Sequence, residues 1–514
     1  MRGRARHIGF WRRVGELPLF LLAFGAASLS MYVPALHAVV VEESVEARTF
    51  FYTGSLGLIL FAMIAVATMG QTPRHGTLGP LLSLFSIMTV LPLALALPLY
   101  ESLQTTTYFN AYLEMVSAVT TTGLTVFENP SRLSSPLHLW RAQVGWMGGF
   151  VMWVAAVAVL APLNLGGFEV TARAEPGREE VAGNRMHGAD MRTRLFRALA
   201  QLLPIYGGLT LLLWVLLLVA GDRPLVALCH AMAVLATSGI SPVEGLEAAG
   251  SGWTGEALLF LFMIFAISRL TFSTDTVTTP GRGLHTDPEF QMAAFFLVCV
   301  PLLLFLRHWA GAIDVDRQED LFGAARALWG SVFTVMSFMT TTGFTSADWA
   351  AAQDWSGLGT PGLILMGLAL VGGGVATTAG GVKLLRVYAL YRHGLREMER
   401  LVHPSSVSGA RGLGRRLQRQ GAFIAWIFFM LFAFSLAVLS LALSALGIGF
   451  EDAMILSVAG LSNTGPLIVA ASENTIHLSE LGVAAKSVLC AAMVVGRLET
   501  LAIIALFTPD LWRS

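Results

Sequence analysis

Runs of about twenty residues almost free of charge recur ten times along the chain, at 17–41, 49–69, 79–99, 143–163, 201–220, 256–272, 291–306, 360–379, 421–448 and 483–508. At about 1.5 Å of rise per residue, each run as a helix reaches across a hydrocarbon core about 30 Å thick. Backbone N–H and C=O groups find no water there, so only helices or closed barrels cross, and these runs lack the alternation of barrel strands. The chain is therefore expected to be an all-α polytopic membrane protein. Composition agrees, since 13% of the 514 residues are charged, about half the share of a soluble domain. A soluble enzyme, a disulfide scaffold and a nucleic-acid binder are excluded as main readings. Cys229, Cys299 and Cys490 stand singly in or beside apolar runs, without metal-ligand spacing.

The zero net charge conceals an orientation. With the N-terminus in the cytoplasm, 24 of the 33 Lys and Arg residues fall inside, among them five in 1–13, six in 169–198 and nine in 383–419, against seven outside. That split satisfies the positive-inside rule. The run 17–41 lacks a clear A-x-A cleavage site and is read as a retained first helix.

A short motif repeats along this frame. Residues 119–125 read V-T-T-T-G-L-T and 339–345 read M-T-T-T-G-F-T, with weaker copies A-T-S-G-I-S at 236–241 and S-N-T-G-P-L at 462–467. Gly123, Gly239, Gly343 and Gly465 are separated by 116, 104 and 122 residues. Before each glycine lies an apolar stretch too short to span, at about 108–120, 225–236, 324–339 and 452–461, and after each comes another spanning run. One such motif is an ordinary polar turn or helix cap, but four at near-equal spacing define a repeated unit of helix, half-helix, glycine loop and helix. Irregular backbone at membrane depth is tolerated only where protein encloses it or it lines a watery cavity. Four half-helices would turn their partly negative C-terminal ends to a shared centre. Loop carbonyls and hydroxyls would there replace a cation's hydration shell. The expectation is a pseudo-fourfold cation filter around a central pore, made by Thr121, Thr122, Gly123, Thr237, Ser238, Gly239, Thr341, Thr342, Gly343, Asn463, Thr464 and Gly465.

Further motifs accompany the loops: E-M-V-S-A-V-T-T-T-G from Glu114, W-M-G-G from Trp146, D-P-E from Asp287, G-G-G-V-A-T-T-A-G-G-V-K from Gly372 to Lys383, N-T-G-P from Asn463, and Lys486 followed by G-R-L-E from Gly496. In this combination the chain resembles the Trk/Ktr/HKT superfamily of potassium transporters, and within it the bacterial Trk-type membrane subunits, whose leading helix pair is matched by 17–41 and 49–69. The resemblance implies a leading segment 1–75 and pore repeats 76–168, 169–285, 286–400 and 401–514. It implies K+ uptake across the bacterial cytoplasmic membrane, with K+ bound in the filter and no organic cofactor. The partners implied are a second copy in a homodimer and a cytosolic nucleotide-binding regulatory subunit in trans. An intramembrane gate is implied at 372–381, with Gly372, Gly373, Gly374, Thr377, Thr378, Gly380 and Gly381, closed by Lys383 and assisted by a pore arginine, Arg497. The alternative is a sodium-permeable or sodium-coupled member of the superfamily. Retention of all four glycines favours potassium, because sodium-admitting relatives commonly carry serine at the first.

The residues themselves leave some roles open. The segment 372–381 makes a poor helix interior and serves either as a gate or as a glycine face for tight packing. It is no phosphate loop, since it ends G-G-V-K rather than G-K-[ST]. Arg497 faces a polar pathway or snorkels to the interface, and Glu499, two residues on, points to a different helical face. Among 31 arginines only two lysines occur, Lys383 and Lys486, the second read as part of the fourth pore helix; a compact point charge is expected to matter at both. Glu114, Glu128, Asp348, Glu451 and Asp452 either concentrate cations at the outer mouth or act as solvated loop residues and helix-end partners. His230 is expected to bond locally. A membrane-embedded enzyme is disfavoured, because the histidines are scattered and no H-E-x-x-H occurs.

Overall fold

The computed structural model describes residues 17–68, 78–161, 191–268, 285, 287–311, 321–402, 412–472 and 475–499. The basic stretches 1–13, 169–190 and 403–411, and the end of the last apolar run, lie outside the described residues. Among those described, every regular element is helical, and seven helices are long and apolar enough to cross a membrane.

The chain opens with α1 (Leu19–Ser30) and α2 (Tyr32–Val40), one span bent at Met31, which packs against α3 (Ser44–Thr68). Small residues let these backbones approach: a Cβ added at Gly54 would lie 3.1 Å from Ser28 O. Lipid offers no hydrophobic drive for association, so such close packing is what holds spans together. The outer side of α3, with Phe51, Leu56, Ile59, Met63 and Val66, is exposed and fits a lipid-facing surface.

Four times thereafter a span is followed by a shorter helix, of 12 or 13 residues in three rounds and 19 in the third, then a loop and a further helix. In the first round α4 (Leu78–Thr89) and α5 (Leu91–Leu103) form one bent span, then come α6 (Tyr108–Val119) and α7 (Ser135–Ala155), which ends in a π-turn at Ala156–Leu160. The second round is α8 (Met191–Ala220), α9 (Pro224–Ala236) and α10 (Gly252–Met263). The third is α11 (Pro288–Gly311), α12 (Leu321–Met339), α13 (Trp349–Ser356), α14 (Gly362–Val371) and α15 (Leu384–Val402). The fourth is α16 (Gly412–Ala445), α17 (Phe450–Ser462), α18 (Leu467–Ala471) and α19 (Val483–Leu498).

Local chemistry starts the short helices where they start. Thr107 caps α6 by accepting from Asn110 N, Pro224 occupies the first turn of α9, and Glu451 and Asp452 sit in the first turn of α17, where they complement the helix dipole. At 12 or 13 residues, α6, α9 and α17 are about 20 Å long, too short to span. Spanning helices press against their C-terminal ends through glycine: a Cβ at Gly148 of α7 would overlap Val119 O, and one at Gly496 of α19 would overlap Leu461 O. These contacts account for glycine in the W-M-G-G and G-R-L-E motifs.

The ten apolar runs do not all become long spans. The run 256–272 is helical from Gly252 only to Ala266, and 360–379 stops at Val371. The stop has a plain cause in Gly372 to Gly374, which lose more backbone entropy in a helix than any other residue.

Candidate ion pathway

Each short helix ends in the same turn. Thr121, Thr237, Thr341 and Asn463 take the left-handed conformation, with φ of 54°, 50°, 59° and 55°. Around them two backbone bonds recur. Thr122, Ser238, Thr342 and Thr464 donate to the carbonyls five residues back, at 2.8, 2.9, 2.9 and 2.9 Å, and the preceding residues donate three back. This is the Schellman pattern, normally closed by glycine; three threonines carry it here although a β-branched residue at positive φ is strained. Gly123, Gly239 and Gly343 follow at positive φ, whereas Gly465 does not.

The loops touch in cyclic order. A Cβ on Gly123 would overlap Ser238 O, and one on Gly239 would overlap Thr342 O. One on Gly343 would lie 3.0 Å from Pro466, and one on Gly465 would overlap Leu124 N. Gly465 N donates to Thr122 O at 2.6 Å and Asn463 Nδ2 to Thr122 Oγ1 at 3.0 Å, which joins the fourth loop to the first. Hydroxyl pairs brace three of the loops: Thr120 with Thr122 (2.8 Å), Thr340 with Thr342 (3.1 Å) and Ser462 with Thr464 (3.1 Å). In the second loop Ala236 stands where the hydroxyl partner would be, and Ser238 Oγ is left without a hydrogen bond. The ring is chemically uneven, as its sequence implies.

The segment 372–381 packs against the helix-end side of this ring. Thr378 Oγ1 donates to Leu235 O (3.0 Å), Gly380 N to Thr341 Oγ1 (2.7 Å), and a Cβ on Gly380 would overlap Ser462 O. Its near side is held by Gly374 N to Ala266 O (2.9 Å) and by Val375 N to Glu289 Oε1 (2.8 Å). The irregular stretch runs two residues past the sequence boundary. It closes in a neck in which Val382, Lys383 and Leu384 donate to Leu370 O, Val371 O and Gly373 O. Thr377 Oγ1 bonds back to Gly374 O. Gly372 and Gly381 at φ 72° and 76° make the bends, and Lys383, itself at φ 84°, donates through Nζ to Ala379 O.

Arg497 is 4% exposed and donates from Nη1 to Thr378 O at 2.6 Å, while Nε and Nη2 have no hydrogen-bond partner among the described residues. It does not snorkel. It lines a cavity of about 30 Å³ with Lys383, Glu499, Ala376, Gly381 and the π-turn residues Ala156 and Leu160. Glu499 pairs with Arg386 Nη2 at 2.6 Å, and the Arg386 guanidinium stacks 3.6 Å from the Phe428 ring centre.

Several sequence expectations are corrected by position. Lys486 lies on α19, in the helix after the fourth loop rather than in the pore helix α17. Its Nζ bonds Asn110 Oδ1 and Ser479 O, both at 2.9 Å. Glu114 is not at an open mouth: it is 1% exposed and 2.5 Å from Arg141 on α7. Asp348 is likewise buried, between Arg326 and Trp253. Glu128 is exposed and pairs with His477 at 2.7 Å. His230 bonds Ser241 Oγ at 2.9 Å. Arg386, Arg141, Glu256 and Glu289 escaped sequence reasoning as functional candidates; Arg141 and Glu256 carried the signal of a charge in or beside an apolar run, Glu289 stood in the D-P-E motif, and Arg386 was counted only among the basic residues of 383–419.

A multi-pass helical bundle with four capped loops meeting in one ring, and an irregular segment packed across their helix-end side, defines a transmembrane transport protein. The sequence profile described as "TrkH: Cation transport protein" matches residues 259–513. The "Trk system potassium uptake protein TrkH" of Vibrio parahaemolyticus is 31% identical over 415 residues, covering 79% of this chain and 80% of that protein. The protein of the same name from Escherichia coli is 29% identical, covering 94% and 96%, and "Trk system potassium uptake protein TrkI" of Halomonas elongata is 29% identical, covering 95% and 94%. The crystal structure of the potassium transporter TrkH from Vibrio parahaemolyticus superposes with a TM-score of 0.78 at 25% identity, covering 97% of this chain and 99% of that one. The chain belongs to the TrkH family of cation transport proteins, a family of transporters and not of enzymes.

Proposed function

We propose that the chain is the membrane subunit of a Trk-type potassium uptake system, and that K+ passes through the ring of four loops. The observation that carries this reading is the ring itself: four helices, each ended by a left-handed residue at the same position, stopping where their loops meet. Their C-terminal ends bring partial negative charge toward an entering cation. Carbonyls of residues 121–123, 237–239, 341–343 and 463–465, with the threonine and serine hydroxyls, exchange for water ligands. Beneath the ring the segment 372–381 closes the path, and the Arg497 guanidinium raises the energy of a cation resting there. Lys383, which ties the segment to itself, keeps the loop folded in this closed form. The leading pair 1–75 and the repeats 76–168, 169–285, 286–400 and 401–514 are the units of this design. The N-terminus and the basic segments face the cytoplasm of a bacterial inner membrane, where a homodimer meets its nucleotide-binding regulator.

The test is growth of a potassium-uptake-deficient bacterium at low external K+, with the regulator co-expressed and Gly123, Gly239, Gly343 and Gly465 replaced one at a time. The unmodified chain restores growth, and Gly123→Ser makes uptake more permissive to sodium. Failure of the unmodified chain would sink the transport reading.

A further inference from the structure

Nine residues before each loop glycine, the short helices carry Glu114, His230, Thr334 and Leu456. The first three reach past the loop to the chain that leaves it. Glu114 Oε2 accepts from Thr125 Oγ1 (3.2 Å) and Val126 N (3.1 Å), while Oε1 is held by Arg141. His230 Nε2 lies 2.9 Å from Ser241 Oγ, which in turn accepts from Val243 N. Thr334 Oγ1 accepts from Ser346 N at 3.3 Å. All three are buried. The fourth position is different: Leu456 is buried and apolar, and so is Leu467, which occupies the register of Thr125 and Ser241.

We propose that this register is a clamp that fixes the outgoing arm of each loop, and so the width of the ring, and that Glu114 is the specificity-determining member. The proposal rests on the reading of the ring as a K+ filter. A loop turned by a strained threonine keeps its shape only where its surroundings over-determine it. The clamps supply that from outside, opposite the helix-end bonds. Hydrogen bonds to a carboxylate are roughly twice as strong as neutral ones, which ranks Glu114 above His230 and Thr334. The third loop has a second anchor, because Glu256 of α10 accepts from Ser346 Oγ (2.7 Å) and Ala347 N (2.6 Å). The first loop's outgoing arm has a second bond of its own, Ser117 Oγ donating to Leu124 O at 2.6 Å, but it is a neutral bond beside the ring and not a second carboxylate, and this loop carries a second load. The unclamped fourth loop is fastened sideways to Thr122 through Gly465 N and Asn463 Nδ2. Loosening Glu114 therefore loosens two of the four loops. Burial also removes Glu114 from the list of cation-attracting groups at the mouth: its role is to position the filter, and it never touches the ion.

The experiment compares K+ and Na+ flux into liposomes reconstituted with the full chain and its Glu114→Leu, Glu114→Gln, Arg141→Gln and Thr334→Val variants. Glu114→Leu gives the first loop the side chain of the fourth. It lowers the K+/Na+ flux ratio about tenfold, the factor that corresponds to one charge-assisted hydrogen bond, while K+ flux persists. Glu114→Gln retains an acceptor for Val126 N, so it falls between this and the unmodified chain, and Thr334→Val changes the ratio about twofold or less because Glu256 remains. An unchanged ratio in Glu114→Leu overturns the clamp. Should that variant not fold, the near-isosteric Glu114→Gln and the Arg141→Gln variant decide the matter in the same way, a lowered ratio supporting the clamp and an unchanged one overturning it. If the unmodified chain carries no K+, the filter reading falls, and this is seen before any variant is compared.

Discussion

In the ring, each loop is turned by a left-handed residue at the same position and by the same two backbone bonds, whereas in the layer packed beneath it no contact occurs twice. The 372–381 segment meets the second loop's helix through Thr378, the third through Gly380 N and the fourth through the approach of Gly380 to Ser462, while Arg497 and Glu289 hold it from separate helices. Loop meets loop in the ring through neutral backbone, hydroxyl and amide bonds, with the Glu114 and Glu256 carboxylates set behind the loops and not between them. The layer relies on buried charge. Repetition suits a structure that must present equivalent ligands to one ion, and single contacts suit a structure that must let go, because each can be broken without disturbing the others. On the proposed reading, the difference divides the molecule into a part that selects and a part that permits.

The sharpest way to break that division is to remove a charge from the layer. Leaving one member of a buried pair alone costs about 3–5 kcal/mol, so Arg386→Leu or Glu499→Leu is expected to lower the thermal stability of the purified protein more than any ring substitution, and to raise K+ leak without altering the K+/Na+ ratio. Replacing both by apolar residues recovers most of the stability. A changed ratio in either single variant would show that layer and ring are not separable.

Within the ring, the glycines should rank by what surrounds them. Gly239→Ala meets Thr342 O and Pro466 at φ 61°, while Gly343→Ala, at φ 85°, has its nearest neighbour 3.0 Å away. Both carry the left-handed strain of about 1–2 kcal/mol, and only the first also displaces backbone. Flux ratios are expected to suffer more at Gly239, and the reverse order would contradict the cyclic contacts. A smaller effect, about 1 kcal/mol of added stability, is expected from Ala236→Ser, which gives Ser238 the hydroxyl partner its three counterparts have. Thermal unfolding measures it.

The smallest effect belongs to the outer surface, where neither rule applies. The hydrogen bond to Glu128, then its charge, and more weakly Glu480, raise the His477 pKa above 6.5. A raised value means the charged contact is complete at low pH and fades as pH rises through that value. His477→Gln should therefore alter K+ flux slightly at mildly acidic pH and not at alkaline pH; a difference that persists at high pH would show that charge is not what His477 contributes.

The loops were legible in the sequence because their chemistry is local. Each turn is written in four consecutive residues, and the short helices that precede them fall within a few residues of the stretches read from apolar length. Thr107, Pro224 and Gly449 mark starts that follow from helix-capping rules. What the sequence does not carry is partnership. Arg386 and Glu499 are 113 residues apart, and nothing in either segment's periodicity points to the other, although the poor geometry of Glu499 toward Arg497 shows that it needs a different partner. Glu114 was visible as an acid near a loop, yet its burial depends on Arg141 approaching from α7. Lys486 stands in the first turn of α19, whose start at Val483 coincides with the start of the apolar run 483–508, so its place after the fourth loop was legible and its reading as part of the pore helix was an error of placement.

The bond from Gly465 N to Thr122 O joins the first and last of the four loops, and it bears on how such a chain is made. During synthesis Thr122 enters the bilayer long before Gly465 exists, so the seam stays open until the fourth repeat is in place. A nascent or truncated chain has no complete ring of ligands with which to strip water from an ion. If the ring is the filter proposed above, the membrane is thereby spared an ungated conductance while the protein is still being built.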